Sequence, residues 1–165
     1  MIRIALLEPE IPPNTGAIIR LAANTGMPLH LIEPLGFELD DKRLRRAGLD
    51  YREYADVSVH GSLAAFKEDV GAHRLVAVST RGTVAYSDYE YQDRDVLLFG
   101  PETRGLPQQM LDSLPADQCV RIPMRPNSRS LNLANAVAII AYETWRQQGF
   151  SGEARAIPGV KNVRG

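Results

Sequence analysis

The sequence is short of several things, and each shortage narrows what the chain can be. Cysteine occurs once, at Cys119, in 165 residues. No disulfide can close within the chain, and the expected compartment is the reducing cytoplasm. Long apolar runs are missing too: proline or charge interrupts every hydrophobic stretch, so no membrane span is expected. The opening "IRIALL" lacks the basic flank and cleavage site of a signal peptide, and none is expected. The three histidines (His30, His60, His73) are scattered at no ligand spacing, so no metal site is expected. Neither sign of charge dominates. A net charge of −1 does not advertise a nucleic-acid binder, although local clustering matters more than the sum. The familiar nucleotide-binding glycine patterns are also absent, with no GxGxxG after the first apolar run and no GxxxxGK[ST] anywhere.

What remains is an ordinary folded-domain composition, 44% hydrophobic and 24% charged. The length suits one domain with a proper core. Short apolar, β-rich runs recur at Ile2–Leu7, Leu29–Ile32, Val57–His60, Leu75–Ser79, Val96–Phe99 and Val120–Ile122. Segments that suit helices lie between most of them, at about Thr15–Thr25, Asp41–Ala47, Leu63–Val70, Gln108–Leu114 and Leu131–Gln148. This alternation predicts an α/β fold, a mostly parallel sheet with helices on both faces. Continuous runs such as "LVAV" and "VLLF" fit strands buried on both sides. We expect a single domain over residues 1–150 and a loosely held tail over 151–165.

The last helical segment is apolar around most of its circumference. Ala134, Val137, Ala138, Ala141 and Trp145 form one stripe, and Leu133, Ala136, Ile139, Ile140 and Tyr142 widen it. Such a helix needs cover on more than one side. The sheet covers one side, and a second copy of the chain is expected on the other, making a homodimer.

Three polar stretches stand out against this apolar framework. In "EPEIPPNTGAIIRLAANTG", Pro12 and Pro13 stiffen a turn, Asn14 is placed to cap a helix, and Gly26 to end it. In "LLFGPETRGLP", Gly100 and Gly105 allow close backbone approach or positive φ. That loop follows a buried strand, at the edge of an α/β sheet where ligands bind. In "RIPMRPNSRSLNLANA", Ser128, Ser130 and Asn132 all offer a helix cap where one is needed, beside Arg125 and Arg129. Asn135, inside the apolar helix, reads as a buried amide holding a neighbouring loop.

Together, "NTGAIIR" (Asn14–Arg20), "FGPETRGL" (Phe99–Leu106) and "IPMRPNSRSLNLANA" (Ile122–Ala136) resemble the three motifs of the SPOUT methyltransferases. "EPEIPPNTG", "DDKRLRRAGLDY" and "ETRGLP" are most similar to the branch that methylates the 2′-oxygen of the wobble nucleotide of tRNA. The resemblance implies a deep trefoil knot in the C-terminal half, a topology otherwise nearly absent from folds. It implies S-adenosylmethionine as cofactor, held by positions matching Val78, Gly100, Glu102, Ile122, Ser130 and Leu131. Val78 and Leu131 depart from the residues frequent there, yet both keep an apolar wall.

The same resemblance assigns the chemistry to Arg20, with Asn14, Ser130 and Asn132 as aligning residues. An arginine keeps its proton, with a pKa above about 12, so electrostatic stabilisation of a developing alkoxide is expected rather than literal base catalysis. The RNA partner is expected to be the anticodon stem-loop of tRNA, leucine tRNAs in particular. Lys42, Arg45 and Arg46 share a helix face in "DDKRLRRAG", with Arg43 adjacent and Arg52 beyond. Beside the motifs, this cluster is expected to track phosphates, with Arg125 and Arg129 continuing the path. Two rivals remain, a methyltransferase of another RNA site and a non-catalytic RNA-binding factor on the same fold.

Overall fold

A computed structural model describes residues 1–38 and 56–154. Among them the chain runs β1 (Arg3–Leu7), α1 (Pro12–Thr25), β2 (Leu29–Ile32), β3 (Val57–His60), α2 (Leu63–Val70) and β4 (Leu75–Val78). It continues through β5 (Val84–Ala85), β6 (Val96–Phe99), α3 (Gln108–Asp112), a short 3₁₀ turn (Ala116–Gln118), β7 (Cys119–Arg121) and α4 (Leu133–Gln147). The expected helix at Asp41–Ala47 lies outside the described residues.

Every strand pair is parallel, in the order β3-β2-β1-β6-β4-β7-β5. Side chains alternate between two cores, as a strand period of two requires. Ile4, Leu6, Leu97 and Phe99 face one core, which α1 closes with Ile18 and Ile19 and α4 with Val137 and Ile140. Ala5, Leu7, Val96 and Leu98 face the other, closed by Phe66 and Val70 of α2 and by Met110 and Leu111 of α3. Burial on both faces explains why these runs carry no polar alternation. The α/β expectation holds.

Strand β5 was not anticipated, and its position is the central feature of the topology. β4 and β5 are consecutive in the chain, yet β7 pairs with both and lies between them. Their connection, residues 79–83, must therefore cross one face of β7. It does so in close backbone contact: a Cβ on Gly82 would lie 2.4 Å from the Val120 carbonyl carbon. Ser79 N–H donates to Val120 O and Thr83 N–H to Cys119 O, pinning the crossing at both ends. The chain leaving β7 then passes this strap and returns as α4, which packs on α1. This crossing is of the kind that the resemblance to the SPOUT methyltransferases implies.

Helix ends follow local chemistry with two departures from expectation. Gly26 ends α1 at φ 68, where a side chain would be strained. Asn132 is the residue that caps α4, accepting from the backbone N–H of Ala134 at 2.9 Å and of Asn135 at 3.3 Å. Asn14, however, is not a cap. The helix has already begun at Pro12, because proline at the first helical position loses no hydrogen bond there. Asn135 is exposed rather than buried, since α4 turns that position away from both sheet and α1. The end of α4 folds back on itself. Trp145 Nε1 donates to Ser151 O at 2.9 Å, and Phe150 stands edge-on to the indole.

Candidate active site

The loops that follow β1, β4, β6 and β7 gather at the carboxyl ends of the strands, where open α/β sheets bind ligands. Between them lies a cavity of about 620 Å³, inside the range of cofactor sites. All six expected cofactor positions line it: Val78, Gly100, Glu102, Ile122, Ser130 and Leu131. Asn14 and Asn132 line it too, while Arg20 does not. Arg20 sits exposed on α1, more than a turn beyond Asn14.

One polar chain joins the three motifs. Glu102 turns its carboxylate to the start of α1, accepting from Glu10 N–H at 2.8 Å and Ile11 N–H at 3.1 Å. These groups precede the first intrahelical bonds, so a carboxylate from another loop does the capping that Ile11 cannot. Asn14 Nδ2 also donates to Glu102, at 3.2 Å, and Asn14 Oδ1 accepts from Asn132 Nδ2 at 2.8 Å. Asn132 in turn caps α4. Donors and acceptors thus run in one direction, from the start of α4 through two amides to the carboxylate that also takes the first N–H groups of α1. Asn14 is buried, and both ends of its amide are partnered, as burial demands.

A second clamp runs the other way. Glu10 accepts from the N–H and the hydroxyl of Thr103, both at 2.9 Å, and from Arg104 Nη1 at 3.1 Å. The Thr103 backbone N–H, then its hydroxyl, hold the Glu10 carboxyl below the usual carboxylate range. Arg104 also pairs with Glu8. Nothing in "EPE" or "ETR" by itself gives Glu8, Glu10 or Arg104 a role. Alternating charge on two facing loops was the one signal that could have joined them.

The two glycines of the β6 loop divide the work expected of either. Gly100 permits close approach, since a Cβ there would lie 2.3 Å from Leu106 N. Gly105 supplies the positive φ, at 66°. The loop therefore doubles back tightly enough to bring Glu102 to α1 and Leu106 into the cavity wall.

Arg125 and Arg129 are exposed on the loop between β7 and α4, whose Met124, Ser130 and Leu131 line the cavity. Lys42, Arg43, Arg45 and Arg46 lie outside the described residues, as does Arg52.

The strands also gather two of the histidines, which corrects their reading as scattered. Register sets Ile32 opposite His60, and His30 shares a face with Ile32. His30 Nδ1 and His60 Nε2 stand 2.9 Å apart, with the ring centroids 5.1 Å apart and stacked. An Asp69 oxygen is within 4.8 Å of a nitrogen of each ring. The other His30 nitrogen, Nε2, is buried and has no partner among the described residues. The ring thus lacks the outer hydrogen bond that orients a metal-bound imidazole. A shared N–H···N bond describes this pair. Burial pushes the His30 pKa down to about 4, with the nearby His60 adding to the effect.

A strand-threaded parallel sheet, with a cofactor-sized cavity walled by three motif loops, defines a SPOUT-type methyltransferase domain. The chain belongs to the SpoU rRNA Methylase family, which matches it over residues 1–142. It is 61% identical over 152 residues to a tRNA (cytidine(34)-2′-O)-methyltransferase of Escherichia coli, covering 92% of this chain and 97% of that protein. A solved structure concerned with 2′-OH methylation of C/U34 on tRNA superposes with a TM-score of 0.83 at 46% identity, covering 91% and 97%. An AdoMet-bound rRNA methyltransferase of Sinorhizobium meliloti gives 0.75 at 27% identity, covering 88% of this chain and 56% of that one.

Proposed function

We propose that the protein transfers a methyl group from S-adenosylmethionine to the ribose 2′-oxygen of the wobble nucleotide, position 34, of tRNA. The substrate is cytidine or a 5-modified uridine in the anticodon stem-loop, in leucine tRNAs. The observation that carries this reading is the cavity itself, whose walls come from three motif loops joined through Glu102, Asn14 and Asn132. Its size and composition fit the cofactor. Val78, Ile122 and Leu131 offer an apolar surface to an adenine ring, and the tight backbone around Gly100 offers amides and carbonyls to its edge. When bound, the cofactor supplies an electrophilic methyl group on a sulfonium.

The chain's own residues then have two tasks. Ser130 holds the ribose in line, in a near-attack geometry. Asn14 and Asn132 align the loops behind it, their amides taken up by Glu102, by each other and by the start of α4. Arg20 keeps its charge and stabilises the alkoxide that develops as the 2′-hydroxyl loses its proton, with an RNA phosphate as acceptor. Lys42, Arg43, Arg45, Arg46, Arg125 and Arg129 follow the phosphates. The work takes place in the cytoplasm.

The rRNA alternative shares the chemistry, but this chain spans about half of the rRNA enzyme's length and nearly all of the tRNA enzyme's. The functional unit is a homodimer. Tyr142, Leu131 and Met124 are exposed apolar side chains on α4 and the loop before it, at 46%, 41% and 37%. The decisive experiment is nucleoside mass spectrometry of tRNA from cells with and without the gene. Loss of 2′-O-methylation at position 34 is expected; unchanged tRNA, with a change mapped to ribosomal RNA, would overturn the substrate.

A further inference from the structure

We propose that Arg81 is a positioning residue that latches two of the cofactor loops together and thereby sets how tightly the cofactor is held. The inference rests on the cofactor reading of the cavity but not on the identity of the RNA. Arg81 belongs to the strap between β4 and β5 and lines the cavity. Its guanidinium donates through Nη2 to the Leu106 carbonyl and through Nη1 to Gln108 Oε1, at 2.6 Å. Gln108 is itself held, because its Nε2 donates to Asp112 Oδ1 at 2.7 Å. One side chain therefore spans from the rigid strap to the far end of the β6 loop.

The two ends of that β6 loop are secured differently. Its first half is tied to α1 by Glu102, Thr103 and Arg104. Its second half begins at Gly105, whose positive φ makes it the natural pivot. Beyond that pivot, Arg81 supplies the side-chain hydrogen bonds that reach the loop from the strap. The strap cannot follow a moving loop, since Gly82 is wedged against Val120 and Thr83 Oγ1 donates to Ala116 O at 2.7 Å. Leu106, buried and on the cavity wall, is thereby held by a donor anchored on the strap. A planar guanidinium is suited to this, because it makes both bonds from one orientation.

The test compares the parent protein with Arg81→Ala, Arg81→Lys and Gln108→Ala, using S-adenosylhomocysteine in calorimetry and stopped-flow displacement, with circular dichroism to confirm folding. Arg81→Ala is expected to weaken binding by about fivefold to tenfold, mostly through faster dissociation, the scale of lost charge-assisted hydrogen bonds at a solvent-facing site. Gln108→Ala removes one arm and falls between the parent and Arg81→Ala. Lysine restores part of the affinity, since it keeps a donor but loses the fork. In turnover assays the effect appears as a raised cofactor KM. Affinity within twofold of the parent in a folded Arg81→Ala protein would overturn the proposal. So would a fall in kcat at saturating cofactor with unmoved affinity. A parent that binds no S-adenosylhomocysteine would sink the cavity reading and this inference with it.

Discussion

At the scale of single residues, the proposed chemistry separates from the scaffold that aligns it. Arg20 lies outside the cavity lining, whereas Asn14 is built into the chain that joins the motifs. Arg20→Ala is therefore expected to abolish methyl transfer while cofactor affinity stays within a few-fold. Single-turnover assays beside calorimetry check this, and retained turnover would remove Arg20 from the mechanism. His30 supports a prediction of another kind. Its folded pKa of about 4 lies below that of an unfolded histidine, near 6.5, so the unfolded chain binds the proton first. Its contribution to stability is whole above about pH 6.5 and is lost as pH falls towards 4, at up to about 1.4 kcal/mol per unit. Glu10, also depressed, adds its own loss as pH falls through the ordinary carboxylate value of 4.5 and below. Denaturant melts of the protein and of His30→Leu, taken from pH 7.5 to 4.5, should show the slope flattened in the variant.

Among the elements, the strap over β7 is the least tolerant of change. Gly82→Ala would push a methyl group into the Val120 carbonyl, a backbone group that cannot rotate away. A cost of roughly 1–3 kcal/mol, read as a melting temperature lowered by several degrees, is expected; an unchanged melt would contradict the packing described. The same strap marks where the sequence stopped being legible. The long strands were readable because Ile4, Leu6, Leu97 and their neighbours are buried on both faces, which forces unbroken apolar runs. Strand β5, only Val84–Ala85, has no such run, and its pairing with β7 is decided by the crossing of distant segments. The knot came from resemblance, for no periodicity records which strand lies between two others. At the site, the three polar loops were readable from their surplus of capping residues and glycines, while the expected cofactor positions came from resemblance. The role of Asn14 was not readable, since its surroundings offered a cap and the pairing with Glu102 spans 88 positions. Arg81 had no local pattern at all.

For the molecule as a whole, the remaining expectations concern its partners. Static light scattering should give twice the chain mass, and Tyr142→Glu should return a monomer. A parent protein that is already monomeric at micromolar concentration would refute the dimer. Binding to an anticodon stem-loop should weaken by about tenfold or more between roughly 50 and 200 mM salt, since each phosphate contact releases counterions. A flat profile would exclude the arginine path. The strap has one more consequence, for the order in which the protein acquires its abilities. The walls of the cavity come from positions as early as Ile11 and as late as Ala136, and the late ones reach it only past the segment that crosses β7. A chain still emerging from the ribosome, or one refolding with its end not yet threaded, can own most of its sheet and still be blind to the methyl donor. Occupancy of that pocket is thus a report that the chain has been fully assembled.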